Sequence, residues 1–194
     1  DKKLVKDTIN EVSGIFHLAS LAQGMQSGKP IESIETNIIG TMNVLEESLD
    51  KDFVLGVSSD KAVQISSTYG ATKFLMEKLF TQFEEMNPKT NYRVVRLGNV
   101  MYSIDSVLYK WKDLIQSCKE VIVTDYNATR FYITIDESID FIFNCLNNSN
   151  DSKPYCEYRK STSLGNLLKA MSNKYLSDDC ELSVKEIGLQ SSEN

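Results

Sequence analysis

Two hydrophobic periods take turns along this chain. Phe53-Val54-Leu55-Gly56-Val57 is a continuous apolar, β-prone run, the pattern of a buried parallel strand. Gly14-Ile15-Phe16-His17-Leu18-Ala19 and Tyr92 to Val100 read the same way, and Val121-Ile122-Val123 reads as a short fourth strand. Between them the period becomes helical. Lys2 to Val12 predicts an amphipathic helix with Leu4, Val5 and Ile9 inward, and Ile31 to Leu49 a second helix after a loop containing Gly24, Gly28 and Pro30. Tyr69 to about Met86 predicts a third, with Leu75, Met76, Leu79, Phe80 and Phe83 as its apolar stripe and Asn87-Pro88 as its stop. Val107 to Cys118, Asp136 to Leu146 (capped by Thr134 or Asp136) and Leu164 to Met171 complete the helices, and the last twenty residues carry only a weak pattern. Alternating strands and helices predict an α/β, doubly wound parallel sheet. The polar run Asn147 to Lys153 is a linker candidate, dividing the chain into 1–146 and a small C-terminal part, 147–194.

Chemistry concentrates behind the Phe53 strand. Ser58-Ser59-Asp60-Lys61 follows where that strand emerges, at the carboxyl edge where open α/β sheets bind ligands. Tyr69 and Lys73 are four residues apart, so a helix begun near Tyr69 puts both on one face, with the ammonium expected to lower the phenol's pKa. An unperturbed tyrosine, near 10, is a poor base, and the cation gives the pair its sense as a proton-transfer device. Y-x-x-x-K alone recurs by chance; its place after a buried strand ending in Ser-Ser-Asp-Lys gives it weight. Asp60 and Lys61, adjacent and opposite in charge, can set each other's protonation, although an exposed loop ion pair worth under ~1 kcal/mol has the same sequence.

Composition narrows the classes. The 27 acidic and 21 basic residues of the 194 leave a net charge of -6 with no Lys/Arg cluster, so nucleic acid is not an expected partner. No apolar run approaches the roughly 18 residues a membrane-spanning helix needs, and there is no signal peptide. Cys118, Cys145, Cys156 and Cys180 lack metal or redox spacing and read as free thiols in a reducing cytoplasm. No G-x-G-x-x-G occurs, and the chain opens without Met inside a helical pattern. The expectation is a fragment preceded by roughly 60 residues, at about 30 per βαβ unit.

Six segments in order carry a family resemblance: Phe16-His17-Leu18-Ala19-Ser20, Thr36-Asn37-Ile38-Ile39-Gly40-Thr41-Met42-Asn43-Val44, Ser58-Ser59-Asp60-Lys61-Ala62, Tyr69-Gly70-Ala71-Thr72-Lys73, Arg96-Leu97-Gly98-Asn99-Val100 and Thr124-Asp125-Tyr126-Asn127-Ala128-Thr129-Arg130-Phe131. Together they resemble the extended short-chain dehydrogenase/reductases, and within them the UDP-N-acetylglucosamine 4,6-dehydratases of the polysaccharide-biosynthesis type. Tyr69 is similar to the tyrosine of the soluble, C5-inverting members that begin pseudaminic acid synthesis.

The resemblance implies an incomplete Rossmann-type domain, a cytoplasmic enzyme with NADP (NAD being the other candidate), a UDP-sugar substrate and a homo-oligomeric full-length protein. It implies oxidation at C4, loss of water across C5 and C6, and return of the hydride to C6. Tyr69 would be the base at C4, Lys73 the partner binding the nicotinamide ribose, Asp60 the acid at the C6 hydroxyl and Lys61 the base at C5. Ser59 would hydrogen-bond the sugar near C4 and, with Asn37 and Tyr69, serve the cofactor side, Asn99 both cofactor and substrate, and Arg130 the diphosphate, where a guanidinium fits bidentately. His17 would be structural or near the cofactor.

The chain departs from that pattern at Ser20-Leu21-Ala22-Gln23, at Ile65 and Ser67, at Tyr102-Ser103-Ile104-Asp105-Ser106-Val107 and at Gly188-Leu189-Gln190-Ser191-Ser192-Glu193, losing cations beside the diphosphate. Two alternatives stay open. A C4 epimerase would share Tyr69 and Lys73 without requiring Asp60 and Lys61, and a catalytically impaired relative would keep the fold as a binding module.

Overall fold

The computed structural model describes residues 1–22, 29–104 and 106–189. Gly24, Gly28, Asp105 and the Gln190–Glu193 stretch lie outside them. The chain forms two compact units: 1–97 with 139–157, and 98–138 with 158–194. The polar run 147–153 therefore belongs inside the first unit, where Ser152 is buried and its N–H and hydroxyl bond the Glu84 carboxylate.

In the first unit, α1 (Lys2–Ile9) is capped by Asp1, whose carboxylate accepts from the Lys3 and Leu4 N–H groups. Ile9 is its buried residue; Leu4, expected inward, is 65% exposed, because eight residues cover only about two turns. Strands β1 (Gly14–His17), β2 (Phe53–Ser59) and β3 (Asn91–Leu97) run parallel in that order, and β7 (Pro154–Tyr155) adds to β3. Register pairs His17 with Gly56 and Ser59 with Leu97, so the polar ends of β1, β2 and β3 share one edge.

The helix predicted over Ile31 to Leu49 is three pieces: α2 (Pro30–Ser33), a wider π-helical stretch (Ile34–Ile39) and α3 (Gly40–Glu47). The Gly40 N–H reaches back five residues to the Glu35 carbonyl. A 3₁₀ turn (Asp60–Ala62) follows β2 and leads to α4 (Thr68–Met86), capped by Ser67. Met76, Phe80 and Phe83 of α4 pack with Leu45, Val54, Tyr92 and Val94 as the core of this unit; Leu75, expected in the stripe, is half exposed. On the other side of the pleat, Cys145 of α6 (Ile135–Asn148) donates to the Val94 carbonyl. The helix starts with a capping box, since Thr134 Oγ1 accepts from the Glu137 N–H and the Glu137 carboxylate accepts from the Thr134 N–H.

The strand expected over Tyr92 to Val100 breaks at Gly98. A Cβ there would sit 3.0 Å from the Phe131 carbonyl oxygen, so only glycine fits without movement. Beyond the break, β4 (Asn99–Val100) pairs parallel with β6 (Thr129–Ile133), which pairs antiparallel with β8 (Ser161–Ser163). The expected fourth strand, β5 (Val121–Val123), pairs with β9 (Val184–Glu186) in the weakly patterned tail. Around it α5 (Val107–Gln116) and α7 (Leu164–Tyr175) contribute Leu108, Trp111, Ile115, Leu164, Leu168 and Met171 to a separate core. Cys118 and Cys180, expected as free thiols, are joined with Cα atoms 5.8 Å apart, while Cys145 and Cys156 are free. Their separation of 62 residues carried no spacing signal.

Candidate active site

Four elements converge at the carboxyl edge of the parallel sheet. β2 ends in Ser58 and Ser59, both buried, and Ser59 caps the 3₁₀ turn by accepting from the Lys61 N–H at 3.3 Å. The Ser59 hydroxyl also donates to Asp60 Oδ1 at 2.9 Å, and Lys61 Nζ lies 3.5 Å from that oxygen. Asp60 and Lys61 are thus a half-buried pair reachable from solvent, each about a third exposed. The turn is locked against α4 by Gly70: a Cβ there would lie 2.4 Å from the Lys61 carbonyl oxygen. That close approach explains why the Tyr69–Lys73 segment has glycine second, and it brings the acid/base turn to the first turn of the helix.

On α4, Tyr69 is half-buried and Lys73 is 4% exposed. Lys73 Nζ donates to the Val57 carbonyl at 2.8 Å and lies 5.7 Å from the Tyr69 ring centroid. The expectation that Lys73 lowers the phenol's pKa is overturned. Burial pushes Tyr69 up to about 12, a hydrogen bond with Ser59 pulling it down and the Asp60 carboxylate pushing it further up. The ammonium is held by a backbone carbonyl and sits by the ring, so its field does not offset burial of the phenol. Burial also pushes Lys73 down to about 8, against the Glu77 carboxylate, leaving it the member of the pair nearest neutrality.

Asn37 is buried in the π-helical stretch and every polar atom of its side chain is engaged. Its Oδ1 accepts from the Leu21 N–H (2.8 Å) and the Ser20 hydroxyl (3.1 Å), and its Nδ2 donates to the Leu21 carbonyl (3.2 Å) and Thr72 Oγ1 (3.0 Å). It ties the segment after β1 to the site helix. Wide π turns recur at functional sites. His17, buried at the end of β1, pairs its Nε2 with Thr41 Oγ1 at 2.9 Å. Thr41 gives its own hydroxyl proton to the Asn37 carbonyl at 2.6 Å, so His17 Nε2 carries the proton and donates. Burial, then the Lys73 ammonium, pushes His17 down to about 4, so it is neutral and structural at pH 7.

Sequence reasoning passed over Glu77 and Arg96. Glu77 lies four residues beyond Lys73, buried, and Arg96 of β3 holds it through two hydrogen bonds. The i, i+4 spacing was the available signal. Asn99 and Arg130 belong to the second unit. Asn99 Nδ2 donates to the Phe131 carbonyl at 3.1 Å, fixing β4 to β6, and Arg130 Nη1 donates to the Thr129 carbonyl at 2.9 Å.

Lys73 is the group at this edge that could hold a cofactor's hydroxyls. Lys73 has three N–H donors, of which one reaches Val57 among the described residues, and a ribose diol takes the kind of donor that remains. Among the described residues no acid, cysteine or histidine cluster could hold a metal, and no helix is long and apolar enough to cross a membrane.

A parallel α/β sheet with helices packed on it and Ser59, Tyr69 and Lys73 at its carboxyl edge is a Rossmann-like fold. Comparison bears this out: the dTDP-glucose 4,6-dehydratase DesIV from Streptomyces venezuelae, solved with NAD bound, superposes with a TM-score of 0.86 over 100% of this chain and 66% of its own, at 15% identity. The chain belongs to the polysaccharide biosynthesis protein family, whose model matches residues 1–194. An inverting UDP-N-acetylglucosamine 4,6-dehydratase from Campylobacter jejuni is 30% identical over 100% of the chain and 58% of its own length. A UDP-glucose 4-epimerase from Rickettsia rickettsii is 31% identical over 87% of the chain and 51% of its own length. The chain spans about half the length of the curated relatives it matches.

Proposed function

We propose that the protein carrying this chain is a UDP-N-acetylglucosamine 4,6-dehydratase, a lyase that inverts C5. The observation that carries the reading is the Asp60–Lys61 pair, 3.5 Å apart on a turn locked by Gly70 against the first turn of the Tyr69–Lys73 helix. Two acid/base pairs side by side match a reaction that moves protons at C4, C5 and the C6 oxygen.

Tyr69 takes the C4 hydroxyl proton, its own phenol being pushed up to about 12 by burial. Lys73 holds the ribose and stays anchored on Val57. Bound NADP, with NAD as the other candidate, supplies hydride acceptance and return. The pair must first move its shared proton from Lys61 to Asp60 across their 3.5 Å contact; neutral Lys61 then removes the C5 proton, which the C4 carbonyl acidifies, and protonated Asp60 gives its proton to the departing C6 hydroxyl, so that water leaves and the ion pair is restored. Ser59 orients Asp60 and the phenol, Asn37 fixes the backbone around the cofactor side, Asn99 reaches cofactor and sugar, and Arg130 meets the diphosphate. The setting in this reading is cytoplasmic. In this reading the full-length protein is a homo-oligomer.

A C4 epimerase is the second reading, favoured by the Rickettsia relative. Incubation of the full-length protein with UDP-N-acetylglucosamine in deuterium oxide separates the two. The dehydratase gives a product lighter by one water with deuterium at C5, whereas an isomer of unchanged composition and no C5 label sinks this reading.

A further inference from the structure

Glu77 is as deeply buried as Lys73, 4% exposed, one helical turn further along α4. Its carboxylate accepts from Ser58 Oγ at 2.6 Å, Arg96 Nε at 2.8 Å and Arg96 Nη2 at 2.6 Å. Those donors come from the ends of β2 and β3. One carboxylate therefore ties α4 to the strand that delivers Ser59, Asp60 and Lys61, and to the strand that precedes Asn99. A purely mechanical tie could be an apolar contact, because replacing a buried ion pair by packed hydrophobic residues is often neutral or stabilising. What an apolar contact could not supply is a negative charge one turn from a buried ammonium.

Among the described residues, groups from three strands and its own helix act on Lys73 or on its neighbours. His17 comes from β1, neutral and donating to Thr41. The Val57 carbonyl comes from β2. Tyr69 and Glu77 share its helix, with Asp60 acting on Tyr69 and Arg96 of β3 acting on Glu77. Of these, Glu77 is the group that opposes the loss of the Lys73 proton, which burial favours.

We propose that Glu77 is a positioning residue: held by Arg96 and Ser58 one helical turn beyond Lys73, it keeps the Lys73 ammonium charged, and through it sets the working pH of the Tyr69–Lys73 pair. The catalytic consequence rests on the function proposed above; the effect on Lys73 does not.

The test follows the ε-carbon of Lys73 through a pH titration of ¹³C-lysine-labelled protein, the resonance being the one lost in Lys73→Arg. In the parent protein the midpoint lies near 8. Glu77→Gln keeps the shape and removes the charge, so the midpoint should fall by at least one pH unit, cutting the protonated fraction at pH 8 from about one half to below about a tenth. If Glu77 were only a tie, its loss would open the strand ends to water and the midpoint would rise toward the ordinary lysine value. An unchanged or higher midpoint in Glu77→Gln overturns the proposal. Should that variant fail to fold, Glu77→Gln/Arg96→Met, which leaves no buried unpaired charge, decides on the same criterion. Turnover is not needed for either reading, so failure of the dehydratase assignment and failure of this proposal are separate results.

Discussion

The two compact units use burial for opposite ends. Of the buried polar residues among those described, His17, Asn37, Thr41, Ser58, Ser59, Thr72, Lys73, Glu77 and Arg93 all fall in the first unit, and the second contributes only Ser138. The second unit's core is Leu, Val, Ile, Trp and Met. Buried polar groups cost free energy unless they are hydrogen-bonded, and the first unit satisfies its own through a network, Arg93 Nε excepted among the described residues. Here the network runs Ser20, Asn37, Thr41, His17 on one side and Ser58, Glu77, Arg96 on the other, with Lys73 between. The stability of the first unit should therefore depend on pH where that of the second does not.

The largest stability effect should come from the apolar side of this contrast. Trp111 is 2% exposed and donates its indole N–H to the Ile122 carbonyl at 2.9 Å. Trp111→Ala should cost about 3–5 kcal/mol in urea unfolding, by the same amount at pH 5 and pH 8. A strongly pH-dependent cost would break the comparison.

His17→Gln tests the polar side. A group whose folded pKa is depressed from 6.5 to about 4 binds protons more readily in the unfolded chain. Its contribution is complete above pH 6.5 and is lost as pH falls toward 4, by on the order of 3 kcal/mol. His17→Gln should flatten that acid limb of the stability profile, and a limb of unchanged slope would count against it.

Gly70→Ala sharpens the claim about assembly. Its Cβ meets backbone, the Lys61 carbonyl, which cannot swing away, so about 1–3 kcal/mol of stability should be lost together with most activity. Full activity would mean that the Asp60–Lys61 turn does not need its present place. At the small end, Leu4→Ala on the exposed face of α1 should change stability by less than about 0.5 kcal/mol.

The same contrast explains what was legible in the sequence. Strands β2 and β3 and helix α4 are long and patterned, and short β1 pairs with the next strand along the chain, so the local pattern marks them. The strands of the second unit, β4 with β6 and β5 with β9, are two to five residues long, and β5 meets a partner some sixty residues away. Such pairs are fixed by tertiary packing rather than by local pattern. In the site, the order of Ser59, Asp60, Lys61, Tyr69 and Lys73 could be read because all belong to consecutive elements. The direction of the Tyr69 shift could not, since it depends on where Lys73 points and how deeply the phenol is buried. Glu77 was missed because a glutamate inside an amphipathic helix reads as surface until Arg96 and Ser58 are seen to enclose it.

The central claim is that Asp60–Lys61 and Tyr69–Lys73 are two working acid/base pairs with separate tasks. Comparison of Lys61→Ala with Tyr69→Phe in the full-length protein, given UDP-N-acetylglucosamine in deuterium oxide, tests it most directly. Losing either group should cost around 10²- to 10⁴-fold in dehydration rate. Lys61→Ala should keep oxidation at C4 while losing exchange at C5, and Tyr69→Phe should lose both. Near-normal dehydration by Lys61→Ala would contradict the account and put the epimerase reading first.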